Sequence, residues 1–165
     1  MSVMSENIKL VKAAELFGLT SEILEHGGRA WITVTGMSMY PFLREGKDCV
    51  ELAKTSFSGI KKGDIVLIKR MDGAFVLHRV CRKEKDCFYM VGDAQQWIEG
   101  PLAPDQLQAK VTKIKRNDRI IDCNNPILKA CVSVWMLVIP LRYKIFRIAR
   151  VSKRIAVRIS KKLFK

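Results

Sequence analysis

Histidine and paired cysteine, the commonest raw materials of a metal or redox site, are scarce in this chain. Among 165 residues there are two histidines, and Cys49, Cys81, Cys87, Cys123 and Cys131 form no Cys-x-x-Cys pair. No metal set can be composed from these, and no metal or cofactor is expected. An odd number of thiols fits a reducing compartment better than a disulfide framework. Cys81 and Cys87 flank the charged turn RKEKD and could face each other across a hairpin, with free buried thiols as the alternative. The amino terminus lacks the basic-then-apolar run of a secretory signal, and no segment there approaches the ~20 apolar residues of a spanning helix. A cytoplasmic chain is the expectation. Acids are missing after Asp122, so the charge is uneven. Of the net +14, Lys129 and the ten basic residues from Arg142 to Lys165 contribute +11, leaving +3 for residues 1–122. Fold and partners are therefore read separately for the two parts.

What the chain does have is apolar material, 48% of its residues, enough for one compact domain with a core. In SENIKLVKAAELFGLTSEILEHGG, Ile8, Val11, Leu16, Leu19, Ile23 and Leu24 fall near helical spacing, with Gly27-Gly28 as the stop. Within it, AAELFGLTSEIL has a superficial likeness to a DNA-reading helix-turn-helix. It is too short for two full helices, and a capping or substrate-groove helix is expected instead. From Ala30 the period becomes that of strands: AWITVTG, CVELAK, DIVLIKR, AFVLHRV, CFYMVGD, AKVTKIKR and RIID, separated by turn signals such as Lys62-Gly63-Asp64 and Met71-Asp72-Gly73. The expected architecture is mainly β with flanking helices, an irregular antiparallel ribbon or barrel. Its parts are an N-terminal helix (1–28), a β domain (29–124) and an apolar-plus-basic helical tail (125–165).

Three residues stand out inside the β domain. Ser38 lies in the tight turn TGMSMYP, where a serine is ordinarily a backbone cap. His78 lies mid-strand in FVLHRV, where an imidazole is ordinarily a packing residue, and Asp93 follows a glycine in YMVGDAQ, where it would cap a turn. Taken singly, each is better explained structurally.

Their order and spacing carry more. The succession Gly36–Pro41 (G-x-S-M-x-P), Lys62–Val66 (K-G-D-I-V), Leu77–Val80 (L-H-R-V) and Gly92-Asp93 resembles the signal peptidase superfamily, which includes self-cleaving repressors, over roughly residues 30–122. That resemblance implies a signal-peptidase-type β fold and a serine endopeptidase. Histidine ahead of Arg79-Val80 is similar to the archaeal and endoplasmic-reticulum branch, where the bacterial branch has lysine. By this likeness Ser38 is the nucleophile, His78 its general base and Asp93 the carboxylate behind the histidine. Glu99 stands at the offset of the branch's second acid, in place of aspartate. The Ser38 N–H is the expected oxyanion donor. Gly36 stands where such enzymes often carry a small hydroxyl residue, so it either admits a second backbone donor or marks its loss.

Relatives of this kind usually carry a spanning helix before the catalytic domain, and none is read there. The apolar run ACVSVWMLVIPL is about a dozen residues long and interrupted by Pro140, too short to span. Beyond it, Ile145, Ile148, Ile155, Ile159 and Leu163 fall near one helical face among basic residues, the pattern of an interfacial helix on anionic lipid. The expected partners are an extended peptide substrate and, through the tail, an anionic membrane surface on the cytoplasmic side. Nucleic acid ranks behind these, because Trp135, Phe146 and Phe164 do not form a regular stacking series. Three other readings stay open: a Ser-Lys dyad using Lys69, an idle peptide-binding module, and a nucleic-acid-binding regulator driven by the tail.

Overall fold

A computed structural model describes residues 20–142 and residue 144. Of the N-terminal helix only residues 20–25 fall in this range, and the tail positions from Ile145 onward lie outside the described residues. The body is one antiparallel sheet with helices at its flanks. Its strands are β1 (Arg29–Thr33), β2 (Asp48–Ala53), β3 (Ile65–Lys69), β4 (Phe75–Lys83), β5 (Phe88–Val91), β6 (Glu99–Leu102), β7 (Leu107–Arg116) and β8 (Arg119–Asp122). They are ordered β1-β2-β7-β3-β4-β5-β6, and β8 pairs with β7.

The near-continuous apolar run of β3 follows from its central place. Ile65 and Leu67 join one core cluster with Val50, Leu52, Val111 and Ile114, while Val66 and Ile68 join a second with Val80, Phe88 and Met90. A strand buried on both faces cannot alternate with polar residues. Behind the strands, the helix Pro126–Leu137 begins at Asn125, whose side chain accepts from the Ile127 and Leu128 N–H groups, with Pro126 at the first turn where no N–H is needed. It seats Val132 and Met136 against Cys81 and Val91. Cys81 is thereby buried in this cluster, and all five cysteines are free thiols, so the Cys81–Cys87 bridge is not formed.

One loop in this frame is closed by charge. Residues 34–47 leave β1 and return at Asp48, whose fully buried carboxylate accepts from the Arg44 N–H at 2.9 Å and pairs with the guanidinium groups of Arg44 at 2.9 Å and Arg116 at 2.7 Å. Arg116 also donates to the Phe42 carbonyl at 2.6 Å. Burial alone would raise the Asp48 pKa, but the bonds from Arg116 and Arg44 outweigh it and hold the carboxyl at about 2. Because the folded value lies below the unfolded one, this stabilisation is present above pH ~4 and lost as pH falls through about 2. Replacing Asp48 with asparagine leaves two arginines without their anion. Urea unfolding should show a loss of about 3 kcal/mol at neutral pH, and the acid limb of the pH–stability curve should flatten in Asp48→Asn.

Candidate active site

The turn carrying Ser38 is held from below by apolar side chains. Met39 and Leu43 are buried in the first core cluster, and the Leu43 N–H donates to the Met39 carbonyl at 2.9 Å. This leaves Ser38 half-buried between exposed Met37 and buried Met39. Gly36 adopts φ 76°, a left-handed conformation that favours glycine, and its N–H donates to Glu45 Oε1 at 2.9 Å. Its amide is therefore engaged. The Ser38 N–H, by contrast, donates to no group among the described residues.

A second tie fixes the serine from the far end of β5. The Ala94 N–H donates to the Ser38 carbonyl at 2.8 Å. Gly92 faces that same carbonyl so closely that a Cβ there would lie 2.7 Å from it. Any side chain would push the two segments apart, which is a physical reason for the glycine. The Gly36–Pro41 and Gly92-Asp93 elements, fifty residues apart in the chain, are thus in direct contact.

His78 sits on β4 opposite Val66 and is buried, 4% exposed. The carboxylate nearest its ring is that of Glu99: Glu99 Oε2 lies 3.7 Å from His78 Nδ1, which has no hydrogen-bond partner. Glu99 is itself gripped in bidentate fashion by Arg70, at 2.5 and 2.6 Å. Burial lowers the His78 pKa below its ordinary value; Glu99 opposes that shift and Arg70 adds to it. The imidazole is neutral at neutral pH. Among the described residues the Ser38 hydroxyl makes no hydrogen bond to it.

Asp93 does not take the place behind His78 that the likeness gives it. Its fully buried carboxylate is spent on Arg79, with Nε at 2.9 Å and Nη2 at 2.7 Å, and the same guanidinium donates to the Gly63 carbonyl at 2.7 Å. The reason is the pleat: neighbouring residues on β4 point to opposite faces, so the side that receives Arg79 and Asp93 is not the side that receives His78. Glu99, expected only as a supporting acid, is the residue facing the ring. It gets there on β6, where it is paired with Met90 of β5. Lys69 is exposed, pairs with Phe75 across the hairpin and lies 5.9 Å from that ring. Three residues beyond Val66, it falls on the opposite face of β3 from His78.

Two residues of the C-terminal part reach the same turn and were not anticipated from sequence. Trp135 Nε1 donates to the Asp93 carbonyl at 3.1 Å. Arg142, fully buried, donates to the Gly92 carbonyl at 3.0 Å and to the Trp135 carbonyl at 3.1 Å. Composition groups Arg142 with the basic residues of the tail, whereas its side chain belongs to the core. A basic residue opening a basic stretch gives no sign that it turns inward.

A cavity of about 240 Å³ lies between the helix and the sheet, walled by Phe42, Ile65, Val111, Ile114, Leu128 and Val132. Neither Ser38, His78 nor Glu99 lines it. Among the described residues no group of three His, Cys, Asp or Glu side chains is placed to hold a metal ion. The chain matches no protein-family model and no curated protein.

Protonating His78 should be costly to the fold. Its folded pKa lies below the ordinary histidine value near 6.5, so the unfolded chain takes up the proton first and stability falls as pH drops from ~6.5 through the folded pKa. Thermal melts between pH ~7 and pH ~5 should show that slope, and His78→Gln should remove it. Gly92→Ala should lower the melting temperature and expose the Ala94 amide to hydrogen exchange.

Proposed function

We propose that the chain is a serine endopeptidase of signal-peptidase type that cleaves an extended peptide, with Ser38 as nucleophile, His78 as general base and Glu99 as the acid behind it. What carries this reading is the buried, neutral His78 with its Nδ1 turned toward the Arg70-held carboxylate of Glu99. That orientation leaves Nε2 as the basic nitrogen. In the reaction Ser38 Oγ attacks the scissile carbonyl carbon while His78 takes the hydroxyl proton, and the oxyanion forms against the unengaged Ser38 N–H. Collapse of the tetrahedral species breaks the C–N bond, the departing amine receives the proton from His78, and water then hydrolyses the ester by the same route in reverse. Glu99 stabilises the transient imidazolium by closing onto Nδ1.

The open edge of β1 supports a peptide substrate. Among the described residues that strand pairs with β2 alone, and it runs straight into the Ser38 turn, so an extended chain laid along it would add as a further strand and present its carbonyl there. Export signals, leaders of small ribosomally made peptides and other extended segments all meet that requirement. The basic tail supports peripheral attachment to an anionic membrane, and no helix among the described residues is long and apolar enough to cross one.

A second reading has one observation in its favour. Without a Ser38–His78 hydrogen bond, the same edge and turn could hold a peptide without cutting it. The Lys69 dyad has no such observation: Lys69 is exposed, and among the described residues it makes no hydrogen bond to Ser38.

Cleavage of a peptide library and labelling by a serine-reactive phosphonate separate these readings. Ser38→Ala and His78→Ala should fall to background, Glu99→Gln should lose ~10²-fold or more in kcat/KM, and Lys69→Ala should stay close to the parent. Asp93→Asn should act on the fold instead, costing about 3–5 kcal/mol by stranding buried Arg79. Peptide binding with neither labelling nor cleavage would establish the idle module. An active His78→Ala beside an inactive Lys69→Ala would move the base to lysine.

A further inference from the structure

The outer face of the helix Pro126–Leu137 is apolar and exposed among the described residues. Ile127 is 73% exposed, Val134 63% and Leu137 77%, and Cys131 is also exposed between them. Ile127, Cys131 and Val134 follow the i, i+4, i+7 spacing of one helical face, and Leu141, 49% exposed, extends the same side past the turn Ile139–Leu141. The opposite face seats Val132 and Met136 in the core. A helix in a water-facing position would carry charge on its outer side, yet Lys129 is the only charged residue in the whole segment.

We propose that this stripe is the membrane-docking face of the protein and that its partner is an anionic lipid surface, with the helix lying in the headgroup plane and Ile127, Val134, Leu137 and Leu141 inserted. The choice of occupant rests on what adjoins the stripe. Exposed Lys144 follows Leu141 closely, and residues 143–165 hold nine Lys and Arg and no acid. An apolar strip continuous with a cationic segment complements a surface that is oily beneath and negatively charged above. A second copy would bring another cationic segment of the same sign. Nucleic acid would meet no exposed aromatic ring on the stripe with which to stack. The inference adds the apolar stripe of the helix to whatever charge and apolar residues the tail sequence brings. It does not require that the protein be a peptidase, because vesicle binding is read without catalysis.

The test uses the full chain and sedimentation with vesicles of phosphatidylcholine containing ~30% phosphatidylglycerol, with pure phosphatidylcholine as the comparison. Wild type should bind the anionic vesicles, retain part of that binding in ~1 M salt where charge is screened, and bind neutral vesicles weakly. Val134→Asp with Leu137→Asp should weaken binding at least ~10-fold and reduce the salt-resistant part. Both positions are exposed, so circular dichroism and the melting temperature should be unchanged, and Ile127→Asp serves as a second probe at the other end of the stripe. Lys153→Glu with Arg154→Glu should remove the salt-sensitive part only. Equal binding by wild type and the Asp variants overturns the proposal in favour of the tail alone. Absence of vesicle binding overturns it outright, and a dimer dissolved by the Asp variants without vesicle binding assigns the stripe to a second copy.

Discussion

The buried ion pair between Arg79 and Asp93 is the joint on which the candidate site is assembled. Arg79 binds the Asp93 carboxylate through two nitrogens, holds the Gly63 carbonyl with a third, and lies 5.0 Å from the Phe42 ring of the serine loop. The backbone of Asp93 is gripped in turn by Trp135. Strand β4, the turn before β3, the end of β5, the serine loop and the C-terminal helix therefore meet at one charge pair. Burying two ions is expensive, and an apolar pair of the same shape would be as stable or more so. What an apolar pair could not do is fix the direction of these five segments, since dispersion contacts have no preferred angle.

A second cluster of charge does the same for the opposite end of the serine loop. Asp48, Arg44 and Arg116 close residues 34–47 against β7, while Met39 and Leu43 anchor the middle in the core. Ser38 is thus carried on a loop whose ends are tied by ion pairs and whose centre is tied by packing. This suits a nucleophile, which has to present its hydroxyl to solvent without wandering. Among the described residues the hydroxyl and the N–H of Ser38 are left without such a tie.

How far all this can be read from sequence depends on whether the cause is local. The apolar runs around β1–β5, β7 and β8 are legible because alternation and turn residues are properties of neighbours. Strand β6 is not, since Glu-Gly-Pro-Leu has neither β-branched residues nor alternation and is made a strand by pairing with β5. The consequence reaches the site: without β6 there is no way to see that Glu99 faces His78, and the nearer Asp93 is the natural choice. Ser38 and His78 are legible as a pair only through the order of short elements around them. Arg142 is hidden for a different reason. Composition marks it as the first member of a cationic stretch, whereas its burial follows from acceptors on Gly92, fifty residues earlier.

Those acceptors give the fold a temporal order. The main-chain carbonyl of Asp93 accepts from the Trp135 side chain, and that of Gly92, already bonded to the Gln95 N–H at 3.0 Å, accepts also from the Arg142 side chain. As the chain leaves the ribosome, every strand of the sheet is available before either donor has been made. The nascent protein can complete its sheet, with the turn behind Ser38 already tied by its own backbone, while the Asp93 carbonyl still lacks its Trp135 donor; the two side-chain ties are added when residues 126–142 arrive. The turn behind Ser38 is thereby closed in two stages, by its own backbone first and by the side chains of the C-terminal segment afterwards.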